Sequence, residues 1–184
     1  MRKTFSILAE WGRQNQAVIR FCLLFVLYVA CFIILVELEW MKTVFIPGLA
    51  EVLAKTAYRI LNQTGMNAAL SGVIVFQRKG FAVEITNTCS GIIQVYFLLA
   101  AVLAFPANRT DKLIGASLGS VLLLVVNLFR IVGLFFVGVY ARPWFDFVHG
   151  VLGEIGMIVA TFLIWFGWAK AARRRTVSSQ ALYT

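Results

Sequence analysis

Charge is scarce in this sequence: Asp, Glu, Lys and Arg make up 14% of its 184 residues, against 61% hydrophobic. Mean hydropathy is +0.86. A soluble domain of this length could not hide so much apolar surface in one core, whereas a bilayer accepts it. Histidine is scarcer still, with one in the chain, and there are three cysteines. One histidine and no cysteine pair argue against zinc, so the reading includes neither metal nor cofactor. Cys22 and Cys31 share one apolar run, about 13 Å apart along a helix, too far for a bridge. No disulfide framework is expected. Linkers and internal repeats are missing too, so residues 1–184 read as one membrane domain. A cleavable leader is not expected either. The first apolar run, from Ala17 on, is too long for a signal-peptide core and has no small-residue cleavage site behind it.

What is abundant is positive charge at the ends of apolar runs. The net charge of +9 would suggest nucleic acid in a soluble protein. Here Arg2, Lys3, Arg13 and Arg20 precede the first run, and Lys170 and Arg173 to Arg175 follow the last. Such placement is a topology signal, and no aromatic-basic groove accompanies it.

Four runs are candidate spans: 17–36, 90–105, 113–140 and 149–168. Ahead of the first, Phe5, Leu8 and Trp11 fall on one face of a short helix expected on the inner surface. In 43–62, Glu51, Lys55 and Arg59 recur every four residues, one charged stripe on an amphipathic helix at the outer surface. VIVFQ and FAVEIT, around Arg78-Lys79-Gly80, read as a β-hairpin. The fold class is thus an all-α integral membrane protein with a long 37–88 extracytoplasmic segment. Residues 106–112 form a turn, 141–148 a short loop, and 169–184 a basic cytoplasmic tail.

Orientation follows from the short loops. With the N-terminus inside, the inner segments hold ten Lys/Arg, and the outer ones six, offset by five acids. Both termini are expected in the cytoplasm. Cys89 then opens a descending span at the outer face. Arg130 lies 18 residues beyond Lys112 on an ascending helix, a rise of about 27 Å against a hydrocarbon core of about 30 Å. His149 begins the last descending span. Three helices bring a thiol, a guanidinium and the sole imidazole to one depth.

An interfacial cysteine is ordinarily a packing residue, and a histidine at a helix start is ordinarily just solvated. An arginine ten residues inside a helix end is harder to explain that way, because a charge in a bilayer segment is costly. Together they suit a nucleophile, an acid–base group and an oxyanion stabiliser. Asn127, one turn before Arg130, is placed to orient it or to bond between helices. Glu154, beyond His149, is expected to pair with a polar group in the bundle. Gln94 reads as helix glue, and Gly115, Gly119, Gly150, Gly153 and Gly156 as sites of close helix contact.

Asn87-Thr88-Cys89-Ser90-Gly91, before an apolar helix ending in Phe-Pro, resembles the cysteine motif of the exosortase/archaeosortase family. Asn127-Leu128-Phe129-Arg130-Ile131 resembles its Asn-x-x-Arg motif, and His149 with the glycines after it resembles its histidine motif. The likeness covers roughly 70–165, in the family's order of Cys, Arg and His. It implies catalytic Cys89, Arg130 and His149, with Ser90, Asn127 and Glu154 as supporting residues. It also implies a cysteine protease/transpeptidase in the inner membrane, active at its periplasmic or extracellular side. Its partners would be exported proteins ending in a short motif, a transmembrane helix and a basic tail, with lipid, polysaccharide or water as acceptor. Many members have about eight spans; this chain resembles the short exosortases, such as the exosortase H type.

Two rival readings stand beside this one. In the first the chain is a non-catalytic scaffold or transporter subunit, with Arg130 and Glu154 tying helices together. In the second it is an acyltransferase using the same cysteine and histidine. Topology is checked by labelling single-cysteine variants from outside: position 89 is expected to react and position 112 to be protected. The reverse pattern would overturn both the orientation and the site.

Overall fold

The computed structural model describes residues 15–77, 80–86 and 89–181, with side chains described as far as Arg175. The surface helix expected around Phe5, Leu8 and Trp11, the Arg78-Lys79 corner of the hairpin, and Asn87-Thr88 lie outside them.

The described chain is mainly helical: α1 (Gln16–Val36), α2 (Ile46–Gln63), α3 (Ile92–Ala104), α4 (Arg109–Tyr140) and α5 (Gly153–Ala181). Among the described residues, three helical runs are long and apolar enough to cross a membrane: Gln16–Val36, Arg109–Tyr140 and Arg142–Arg175. The chain is a multi-pass membrane protein. The second expected span appears as α3, only 13 residues long, or about 20 Å against the 30 Å core. Its boundaries explain its length. Gly91 caps its start in a left-handed conformation, and Phe105, extended before Pro106, ends it.

The turn after α3 is closed by side chains. The Asn108 side chain accepts from the Asp111 amide at 2.8 Å, capping α4. Lys112 Nζ donates to the Leu103 carbonyl at 2.6 Å, supplying a donor that the end of α3 lacks. Trp168 Nε1 bonds the Asp111 carbonyl, and Arg175 the buried Asp111 carboxylate, both at 2.8 Å, so the far end of α5 is latched to the start of α4.

The amphipathic stripe is read correctly. Ile46, Ala50, Leu53, Ala54, Ala57 and Leu61 form the buried face of α2, and exposed Lys55 pairs with Glu51 at 3.0 Å. A π-helical turn, Met41–Phe45, precedes it. The hairpin is also present, as β2 (Ile74–Gln77) and β3 (Ala82–Glu84), antiparallel with Val75 opposite Val83. A strand not expected from the sequence, β1 (Ala68–Ser71), pairs with the other side of β2. AALS has no apolar–polar alternation to announce it.

One expectation needs correction at the C-terminal end. Residues 141–148 are not a loop but tight helical turns: Arg142–Trp144, Phe145–Phe147 and a π-helical Val148–Leu152 leading into α5. The tail is helical too, since α5 continues through Arg173 to Arg175. Arginine is a good helix former, and nothing in the run to Ala181 breaks the helix.

Apolar burial falls in two clusters. Leu98, Val102, Leu123 and Met157 join α3, α4 and α5. Leu61, Val75, Ile85, Ile131 and Phe135 pack α2 and the sheet on the second half of α4, with Cys89 at the edge. Helix α1 buries no residue, and meets its neighbours through ring pairs such as Phe32–Tyr96 and Phe21–Trp165.

Gly115 and Gly119 are close contacts as expected, while Gly150 and Gly156 face open space. A Cβ on Gly115 would come within 2.4 Å of the Trp168 ring, which is also held by its bond to Asp111. Gly115→Val is therefore expected to destabilise by about 1–3 kcal/mol through overpacking. Gly156→Val should change little. Thermal melts of both variants in one detergent check this, and equal melting temperatures would contradict the α4–α5 contact.

Candidate active site

The site forms where the heads of α3 and of the last helix meet the second half of α4. Cys89 sits on the tight turn leading into α3, its amide donating to the Thr86 carbonyl at 3.0 Å. His149 lies in the π-helical turn that opens the last helix. Cys89 Sγ is 3.3 Å from His149 Nε2, although the residues are 60 apart in sequence. Cys89 is buried, with 6% of its surface exposed. A small alkylating reagent therefore suits it better than a bulky one, and exposed Trp144 is the cleaner position for labelling from outside.

Helix α4 sets this separation. Asn127 is fully buried, and its Nδ2 donates to the Cys89 carbonyl at 2.8 Å. One turn later, Arg130 Nη2 donates to the His149 carbonyl at 3.4 Å. Two donors on one helix face thus reach the backbones of Cys89 and His149, the first by the shorter bond. Glycine permits each approach. A Cβ on Gly91, whose φ is +74°, would meet Asn127 at 3.0 Å, and one on Gly153 would meet Arg130 Nε at 2.7 Å.

The residues singled out from the sequence have these places in the structure. Cys89, Arg130 and His149 come together as placed from the sequence. Asn127 reaches Cys89 rather than orienting Arg130; its Oδ1 and Arg130 Nε are both buried without a partner. Ser90 is buried, and its Oγ accepts from the Ile92 amide at 3.4 Å, beside the start of α3. Glu154 departs from expectation. It is exposed and makes no hydrogen bond or ion pair among the described residues, because it faces a groove away from the α4 contact. No cluster that could hold a metal appears among the described residues.

Two residues were missed. The Phe145 ring stacks on the His149 imidazole, with centroids 5.5 Å apart and planes 5° from parallel. Phe81 packs edge-on against Phe145 at 4.8 Å, so the sheet buttresses the imidazole through two rings. The signal was the four-residue spacing of Phe145 and His149, which matters only if 141–148 is helical.

A thiol within reach of an imidazole, deep in a helical membrane protein and braced by an arginine, has the arrangement of a thiol-dependent acyl-transfer centre. The family model described as transmembrane exosortase matches residues 4–166, and the chain belongs to that family. No curated protein and no solved structure matches it. The family is generally one of cysteine transpeptidases, which implies a membrane transpeptidase role.

The contact between Cys89 and His149 makes a prediction that needs no substrate. If His149 takes the thiol proton as attack begins, His149→Gln should slow iodoacetamide alkylation of Cys89 by roughly tenfold or more. The rate is read by mass spectrometry in a Cys22→Ser, Cys31→Ser background at neutral pH. An unchanged rate would remove the imidazole from the chemistry.

Proposed function

We propose that this protein is a membrane cysteine protease/transpeptidase that cuts C-terminal sorting signals of exported proteins at the outer face of the cytoplasmic membrane. The observation that carries the reading is the 3.3 Å approach of Cys89 Sγ to His149 Nε2 in a chain of the exosortase family. In this reading α3 completes a fourth crossing, with the extended residues on either side of it making up its length. Both termini then lie inside, as the Lys/Arg distribution favours.

Cys89 gives its proton to His149 as the sulfur attacks the scissile carbonyl. The resulting tetrahedral oxyanion is stabilised by Arg130. Its present bond to the His149 carbonyl, at 3.4 Å, is long and weak, so a charged oxygen competes for it readily. Collapse of the intermediate breaks the C–N bond. His149 protonates the departing amine, and a thioester remains on Cys89. The acceptor, whether lipid, polysaccharide or water, then loses a proton to His149 and attacks the thioester carbonyl; the C–S bond breaks, the new carboxyl end passes to the acceptor, and His149 returns the proton to the Cys89 sulfur. Asn127 holds the Cys89 backbone throughout, so the sulfur stays in line while its own bonds change.

Burial favours this reading over a scaffold. A packing cysteine has no need of an imidazole 3.3 Å away, stacked on Phe145 and held through its own carbonyl. The acyltransferase alternative uses the same dyad and is separated by the adduct. Mass analysis of Cys89 during turnover is expected to show a peptide, and a fatty acyl group there would overturn the proposal.

Substitutions at two positions test the roles. Cys89→Ala should abolish processing while the protein stays folded. Arg130→Ala and Arg130→Lys should keep substrate binding yet lower the single-turnover rate, by roughly 10²–10³ for loss of one oxyanion donor. Lysine should rescue poorly, because it keeps the charge but loses the planar fork. Full activity in a stable Arg130→Ala protein would reduce the arginine to a tie between helices.

A further inference from the structure

A groove of about 570 Å³ runs between α1, α3 and α5. Phe21, Phe25, Ile93, Phe97, Ile158 and Trp165 give it apolar walls. The exceptions are few. Thr161 lines it, but its hydroxyl is already committed to the Met157 carbonyl at 2.7 Å. Gln94 and Glu154 line it without such a commitment. Gln94 Oε1 is buried and has no donor, and Trp165 Nε1, in the same groove, is buried and has no acceptor. Glu154 has no hydrogen bond or ion pair among the described residues.

These two residues stand in register with the dyad. Gln94 is five residues beyond Cys89, and Glu154 five beyond His149, on the helices that the two reacting residues open. Each therefore lies deeper in the bundle than the residue it follows, just inside the α-helix that begins at Ile92 or Gly153. Both present hydrogen-bond acceptors, and one is a carboxylate. Acceptors facing an apolar groove inside a membrane segment are costly unless an occupant supplies a donor. A lipid acyl chain has none to give, and a headgroup belongs at the interface, above this depth.

We infer that the groove seats an apolar helical segment of the protein substrate carrying one hydrogen-bond donor, best a cationic one, opposite Gln94 and Glu154. The word substrate rests on the proposed function; the recognition does not. The pair acts as a depth gauge. By fixing where the donor side chain stops, it fixes which peptide bond, about five helical residues closer to the surface, lies against Cys89. Such an interaction adds specificity within a membrane, where apolar contact alone scarcely distinguishes one helix from another or from lipid.

The test uses full-length Cys89→Ala protein in phosphatidylcholine nanodiscs, so that no chemistry intervenes. The probes are two fluorescent 20-residue Leu/Ala helices, identical except for Lys or Leu at the fifth residue from the outer end. Energy transfer to labelled protein measures association. The Lys probe is expected to bind about three- to tenfold more tightly, the range for one polar contact between membrane helices. Gln94→Leu with Glu154→Leu should bring the two probes to equal affinity while the melting temperature holds. Equal binding to the unsubstituted groove would overturn the inference, as would a preference for Lys that survives the double substitution. So would a photo-crosslinker at Phe97 that labels phosphatidylcholine and neither probe. Because Cys89→Ala is used throughout, these results leave the enzymatic reading to be judged separately, by the adduct on Cys89.

Discussion

The bond from Asn127 to the Cys89 carbonyl is the constraint on which the site depends. A carbonyl at the head of a helix, buried where no solvent can reach, must find a donor within the protein. Asn127 supplies it across the gap between α4 and the start of α3. Arg130 does the same one turn later for the carbonyl of His149. One rigid helix therefore carries a firm tie to the turn holding Cys89 and a longer, looser one to the turn holding His149. Both ties lie on the same face of α4, so the position of that helix bears on Cys89 and His149 alike.

The rest of the fold keeps α4 still. At one end the buried Asp111 region is clasped by Trp168 and Arg175 from α5. At the other, Ile131 and Phe135 are packed beneath α2 and the sheet. The small sheet gains a purpose from this. Phe81, between its second and third strands, presses on Phe145, and Phe145 lies flat on the imidazole. Helix α1 stands apart: it buries nothing and borders the groove with aromatic side chains. A peripheral helix of this kind can shift without disturbing the dyad.

Much of this could be read from residues alone, and the reason is physical. The bilayer has a fixed thickness and a helix a fixed rise, so counting from Lys112 to Arg130 assigns the arginine the same depth as Cys89 and His149 without any knowledge of packing. The charged stripe of α2 was equally plain, because Glu51, Lys55 and Arg59 repeat at the helical period. Contacts between elements were not visible. Nothing in the spacing of Asn127 and Arg130 says that the first reaches Cys89 instead of its neighbour. Glu154 looks like helix glue until α5 is seen to turn it toward the groove. β1 lacks a pattern, and ARPWFDFV reads as a loop because proline and aromatics obscure three short helical turns of different pitch.

That mixture of pitches has a consequence for how the chain tolerates change in length. The π-helical turn Val148–Leu152 accommodates a residue more than an α-helical path over the same rise would need. Deleting one residue between Gly150 and Leu152 would allow the turn to relax into α-helix, leaving α5 seated against α4. His149 would then swing by about 100° about the axis, the angle between successive residues of an α-helix. The imidazole would leave Cys89 and lose its parallel neighbour, while the transmembrane bundle below hardly changed. A one-residue gap at this point in a related sequence therefore marks a protein that keeps the scaffold and has given up the dyad.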